Sequence, residues 1–420
     1  MTVADRPATF RDVFGVAEYR ALFGATVLSL IGDYLARVAV AVLIFSDTGS
    51  VLLSAAGFAI SYLPWVAGGP VLAALAERYP YRRTMITCDV ARMVLVAVMA
   101  LPGLPLPLLL LLLLGAAVLT PPFEASRSAI VTQLLTGDRY VLAYSVQTMT
   151  TQASQVAGYA MGGLLSAVDP HGALLANAAT FGVSALLLWR GVRPRPAAAP
   201  REEHGSLLKE TGEGLRLVFG HPVMRPVAFA VFGMVSILIV PEGLATPWAA
   251  ELGGGSKTAG LLLAAMPIGL FLGAILTRVT PPERRRRLIK PFLLGGPLFL
   301  VPALAGPPTA VVFLMVVCAG VMNAVIVSLN GVFVSVLPNN FRARAFGVMQ
   351  GGIQITHAAA VLVAGAAAQL STVPVVVGAW AVCGLLLMTV IVRTWPSTTV
   401  IDAEAARTAE LNKAVTNSQP

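Results

Sequence analysis

Charge is what this sequence has least of. Only 12% of its 420 residues are Asp, Glu, Lys or Arg, while 57% are hydrophobic and the mean hydropathy is +0.80. A soluble domain carries about twice that charge to cover itself in water-facing groups. A soluble globule is therefore excluded, and lipid is the solvent that fits. Cysteine is almost as scarce. Cys88, Cys318 and Cys383 lie in apolar runs at no metal-ligand spacing, which argues against a disulfide framework and a zinc site. The chain has no Gly-x-x-x-x-Gly-Lys-Ser/Thr loop to hold a nucleotide phosphate, and neither a Ser-His-Asp pattern nor a zincin motif. No enzyme activity, metal or cofactor is expected. The net charge of +9 does not point to nucleic acid, because the basic residues sit in short loops at alternate ends of apolar segments.

What the chain has in abundance is apolar runs. About 20 helical residues cross the ~30 Å core of a bilayer, and that window gives twelve spans. They lie near 21–45, 52–76, 84–102, 106–130, 140–166, 172–190, 226–248, 257–278, 289–305, 309–336, 344–369 and 374–394. Of 29 Lys and Arg, Arg37, Arg92 and Arg127 fall inside spans and Lys257 in an outer loop, leaving 25 for the segments that are cytoplasmic when the N-terminus is inside. That asymmetry predicts an inner (plasma) membrane protein with both termini in the cytoplasm. Before the first span Asp5, Asp12 and Glu18 accompany Arg6, Arg11 and Arg20, so no cleavable leader is expected.

One long Pro- and Arg-rich connection divides the chain. The expected organisation is a six-helix bundle over 1–190, a cytoplasmic linker over 191–225 with a short amphipathic helix near 206–219, a second bundle over 226–394, and a cytoplasmic polar tail over 395–420, mobile or partly helical around 402–415. An internal repeat supports two related halves. Gly69, Leu72, Ala74 and Arg78 recur as Gly269, Leu272, Ala274 and Arg278, and Arg139, Gln147 and Gly162 as Arg342, Gln350 and Gly365.

The stretch GPVLAALAERYPYRR, residues 69–83, resembles the loop signature Gly-x-Leu-Ala-Asp-Arg-x-Gly-Arg-Arg of the major facilitator superfamily. Ala73 stands for the first Gly, Glu77 for Asp, Arg78 for Arg and Pro80 for the second Gly, with Arg82 and Arg83 as the terminal pair. EYRALFGATVLSLIGDYLARVAVAVLIF at the first span and PNNFRARAFG before the eleventh are similar to the drug-and-macrolide efflux branch, which also holds siderophore exporters. The resemblance implies an all-α membrane protein of twelve transmembrane helices in two six-helix bundles related by pseudo-two-fold symmetry. It also implies a monomeric, proton-driven exporter of a lipophilic drug-like compound or natural product. A siderophore or lysolipid exporter, and a non-transporting sensor or scaffold that kept the fold, stay open.

Ionisable groups inside a span cost roughly 2.5–3.5 kcal/mol each to insert, so they mark function or pair with one another. Asp33 sits near the middle of the first span with Arg37 one turn on. Two readings stand: a proton carrier or cationic-substrate site tuned by Arg37, or an ion pair that only eases insertion. Glu242, beside Pro241, is either a second protonation site or a group facing water at the outer mouth, with Trp248 marking the interface beyond it. Glu77, Arg78, Arg82, Arg83, Asp89, Arg92, Glu124 and Arg127 fall near the cytoplasmic ends of spans two to four. With Arg342 and Arg344, the resemblance implies, they form a gating charge network. Tyr62, Trp65, Gln152, Asn323, Asn330, Gln354 and His357 are candidates for a substrate cavity, His357 with no visible partner. Interhelical hydrogen bonding explains most such mid-span polar groups equally well. Gly158, Gly162 and Gly163, with Gly365 and nearby alanines in the eleventh span, are expected to form packing faces for close helix approach, serving either as a sliding surface between the halves or as static packing.

Overall fold

A computed structural model of the chain describes residues 8–65, 79–195 and 207–417, and all regular structure among them is helical. The helices are α1 (Phe10–Phe14), α2 (Ala17–Thr48), α3 (Val51–Ile60), α4 (Tyr81–Met99), α5 (Leu106–Val118), α6 (Thr120–Leu134), α7 (Asp138–Ser166), α8 (Pro170–Gly191) and α9 (Leu207–Gly220). They continue as α10 (Met224–Gly243), α11 (Ala245–Glu251), α12 (Ser256–Val279), α13 (Pro282–Leu298), α14 (Thr309–Met322), α15 (Val325–Ser335), α16 (Arg342–Ala367), α17 (Val373–Arg393) and α18 (Thr398–Asn417). Nine helical stretches among the described residues are long and apolar enough to cross a membrane.

Local chemistry sets the helix ends. Gly49 closes α2 in the left-handed conformation (φ 61°), its N–H reaching Phe45 O at 2.8 Å, a shape glycine adopts without strain. Asp169 caps α8 by accepting from His171 N at 2.9 Å, and Pro170 follows at the first helical position. Several expected spans contain breaks. The fourth divides at Leu119, where Pro121 and Pro122 open α6 and lack the N–H groups that would bond back into α5. The tenth divides at Asn323 and Ala324, between α14 and α15.

The chain forms two compact units, Met1–Arg201 with Gly243–Pro267, and Glu202–Glu242 with Ile268–Pro420. The first has two main apolar cores. One joins Leu22, Ala25, Met85, Phe123, Ile130 and Leu188; the other joins Leu35, Val40, Ile44, Val96, Met99, Leu174 and Phe181. Helix α7 packs against its neighbours through glycine. A Cβ at Gly158 or Gly162 would press on α2 at Ile31 O or Leu35 O, and one at Gly163 would press on Ser256 O and Gly260 of α12. The three glycines thus serve two faces.

In the second unit, Gly384 of α17 sits against Ile237 of α10, and Trp380 Nε1 donates to Ser236 Oγ at 3.2 Å. Helix α9 lies where the amphipathic helix is expected. The C-terminal segment is a helix held to this unit. Ile401 and Thr408 of α18 are buried, Thr408 Oγ1 donates to Val336 O at 3.4 Å, Asp402 meets Arg286 at 2.8 Å, and Glu404 meets His221 at 3.6 Å. Ile401, Glu404, Ala405 and Thr408 lie on one side of an otherwise polar helix, the first and last buried and the middle two half-buried, and this stripe is the reason it docks.

Candidate functional site

The polar side chains of the first unit gather at one level. Thr26, Ser29 and Asp33 on α2 recur at spacings of three and four, as do Asn177, Thr180 and Ser184 on α8, while Asp89 and Arg92 lie one turn apart on α4. Thr26, Ser29 and Asp33 on α2, Asp89 and Arg92 on α4 and Ser184 on α8 come between their helices' contributions to the two apolar cores, so they form a polar layer separating them, while Asn177 and Thr180 lie beside Ala178 and Phe181 of the second core. Asp33 is the seventeenth of the 32 residues of α2, and Asp89 the ninth of the 19 of α4. The layer therefore lies at mid-helix.

Asp89 and Arg92 are 0% and 2% exposed. Ser29 Oγ donates to Ser184 Oγ at 3.1 Å, and Ser184 Oγ donates to Asp89 Oδ2 at 2.6 Å, tying α2, α8 and α4 together. The Arg92 guanidinium lies over the Phe123 and Phe181 rings at 5.3 and 5.5 Å, a cation–π arrangement that gains strength when desolvated. Asp89 Oδ1 and Arg92 Nε and Nη2 have no hydrogen-bond partner among the described residues. Asp33 is half-buried. Arg92, Arg37 and Glu124 all lie close enough to act on its charge, Arg92 more strongly than Arg37. Arg37 is ringed by Tyr34, Phe58 and Tyr62 at 5.2, 5.9 and 5.7 Å, while Glu124 and Arg127 pair one turn apart on α6.

The charges expected near helix ends thus separate. Asp89 and Arg92 lie at mid-helix, because α4 begins at Tyr81 and runs straight past them. Arg82 closes the end of α8, donating from Nε to Leu188 O at 3.4 Å and from Nη2 to Trp189 O. Arg83 and Arg342 are exposed. Arg344 pairs with Glu213 of α9 at 2.6 Å and lies over Phe341. Glu77 and Arg78, with most of the loop signature, fall outside the described residues.

Glu242 is 9% exposed, which corrects the water-facing placement. Trp248 is 1% exposed rather than at a lipid interface, because α11 packs against α2 and α3; its Nε1 has no partner among the described residues. Of the cavity candidates, Tyr62 joins the rings around Arg37, while Trp65 and Gln152 are half-buried. Asn330 is exposed, and Asn323 ends α14 with its Oδ1 buried and unpartnered among the described residues. His357 does have a partner, Gln354 Oε1, at 3.1 Å from Nδ1. The sequence reading passes over Ser29, Asn177 and Ser184. Their signal is the recurrence of polar residues at helical spacing opposite a buried charge, which single serines in apolar runs conceal.

Comparison with known proteins bears on the architecture. No curated protein matches the chain. Among solved structures it is similar to a POT family transporter in complex with a thioalcohol-conjugated peptide, at 11% identity and TM-score 0.68, covering 89% of this chain and 94% of that one. It is also similar to the nucleoside transporter NupG, at 14% identity and TM-score 0.67, covering 90% of this chain and 100% of that one. A bacterial homolog of the human lysosomal transporter Spinster, inward-facing and occupied, matches at 16% identity and TM-score 0.64, covering 94% and 97%. At these identities the likeness establishes the fold alone. The family model described as Major Facilitator Superfamily matches residues 22–361. This multi-pass membrane chain therefore belongs to the major facilitator superfamily, a family of secondary transporters and not of enzymes.

Proposed function

We propose that this transporter is a monomeric, proton-driven exporter of lipophilic drug-like compounds or natural products, akin to the drug-and-macrolide efflux branch, with both termini in the cytoplasm. The observation that carries the reading is Asp33, a half-buried carboxylate at the midpoint of a membrane-length helix, within electrostatic reach of Arg92, Arg37 and Glu124. A carboxylate in that setting changes its protonation when the surrounding bundle changes its access to water. The rings of Tyr34, Phe58 and Tyr62 around Arg37 offer apolar faces beside it, the kind of lining that holds a lipophilic molecule. One proton moving through 100 mV supplies about 2.3 kcal/mol, enough to hold a substrate gradient of roughly 40- to 50-fold.

The test is energised uptake of a lipophilic dye into everted membrane vesicles. Asp33→Asn is expected to abolish proton-driven uptake while leaving the amount of protein in the membrane unchanged. Normal energised uptake by the variant would remove Asp33 from the mechanism.

A further inference from the structure

We propose that Asp89 is a second proton-carrying carboxylate, which shares the Arg92 guanidinium with Asp33. The inference rests on the proton-coupled reading above and extends it to a side chain buried within the first unit. Asp89 is 0% exposed, with Oδ2 held by Ser184 and Oδ1 unpartnered among the described residues. As an anion it leaves a charge buried at mid-helix with one oxygen unmet, a costly arrangement. As an acid it leaves only a neutral hydroxyl unmet, which costs less.

Arg92 makes the exchange workable. Its charge is held by the faces of Phe123 and Phe181, which stabilise a cation without fixing its N–H directions. Nε and Nη2 are unpartnered among the described residues, so these N–H groups are not committed to another acceptor. The charge of Arg92 acts on both Asp33 and Asp89, and the two carboxylates act on each other, while the Ser29–Ser184–Asp89 hydrogen bonds join the helix of Asp33 to that of Asp89. The charged groups around Asp89 are then Arg92 on its own helix, Asp33 from α2, and beyond Asp33 the Glu124–Arg127 pair of α6. From α8 it meets the neutral Ser184, and α5 carries no ionisable side chain. In the proposed step the Asp33 acid and the Asp89 carboxylate become the Asp33 carboxylate and the Asp89 acid. One O–H bond breaks, one forms, no electron is transferred, and Arg92 follows the negative charge.

Infrared pH-difference spectra of the purified full-length protein in lipid read protonated carboxyl groups directly and need no substrate. The wild type is expected to show, among its titrating carboxyl groups, one component from Asp33 and one from Asp89. Asp89→Asn should lose one, Asp33→Asn the other, and Asp89→Glu should retain a component at a shifted frequency. In proteoliposomes Asp89→Asn should lose proton flux while its affinity for the lipophilic dye stays within about 2-fold. Should Asp89→Asn fail to fold, Ser184→Ala, which removes the bond to Oδ2, is expected to move the pH midpoint of the Asp89 component. A folded Asp89→Asn with the wild-type spectrum, or an unmoved midpoint in Ser184→Ala, would overturn the proposal. An intact Asp89 component in a protein without proton-driven export would instead sink the export reading alone.

Discussion

Replacing Gly158 by alanine tests how closely α7 and α2 are packed. An added Cβ would lie 2.6 Å from Tyr34 Cβ, 2.7 Å from Ile31 O and 3.3 Å from Leu35 N. Carbon atoms in contact settle about 3.5–4.0 Å apart, so the tightest of these contacts is short by about 1 Å. Two of the three atoms are α2 backbone and cannot rotate aside. Alanine gains up to about 1 kcal/mol over glycine in a helix, but overpacking of this kind costs about 1–3 kcal/mol, so the expected balance is a loss of up to about 2 kcal/mol. Gly24→Ala is the matched control. Its nearest neighbour is Leu187 Cδ1 at 3.6 Å, an ordinary contact, so the helix gain should survive. Unfolding temperatures of the detergent-purified variants are expected to move in opposite directions, down for Gly158→Ala and up for Gly24→Ala. Transport should fall only in the former, because Tyr34 adjoins Asp33. A Gly158→Ala protein at least as stable as the wild type would refute the reasoning.

Two further outcomes follow from the helix ends. Arg82→Ala strips the donors from Leu188 O and Trp189 O and is expected to lower stability by about 1–2 kcal/mol; thermal unfolding no different from wild type would deny Arg82 a capping role. His221 accepts from Val223 N and Met224 N through Nδ1, and burial holds its pKa below the ordinary value, with Glu404 opposing that shift. The unfolded chain therefore binds the proton first. Stability is full above about pH 6.5 and drains away as the pH falls below it. His221→Asn keeps a capping group without titrating, so its loss of melting temperature between about pH 8 and about pH 5 should be smaller than that of the wild type; an equal loss would exclude His221.

The sequence made the long helices legible because a bilayer demands some 20 apolar residues at a stretch, and most expected spans lie within a few residues of the helices. It also made Asp33 legible, since a carboxylate within such a run stands out. Less legible was anything decided by which side of a helix faces protein. Trp248 reads as an interface anchor by residue type, yet α11 turns it into the core. Asp89 and Arg92 read as helix-end charges because the apolar window starts at 84, three residues after α4 begins. Ser29 and Ser184 carry no signal singly. They gain meaning only when three helices bring them to the same level, a tertiary fact that one-dimensional spacing does not contain.

The docked C-terminal helix has an electrostatic consequence. The run Arg284–Arg287 would, left bare, attract anionic headgroups on the cytoplasmic leaflet in the proposed orientation, at about 1 kcal/mol for each basic residue near the surface. With α18 in place, Asp402 answers Arg286 and Glu404 lies beside His221, so part of that attraction is spent inside the protein. The grip of this face on the leaflet is thereby tied to whether its own terminal helix is seated.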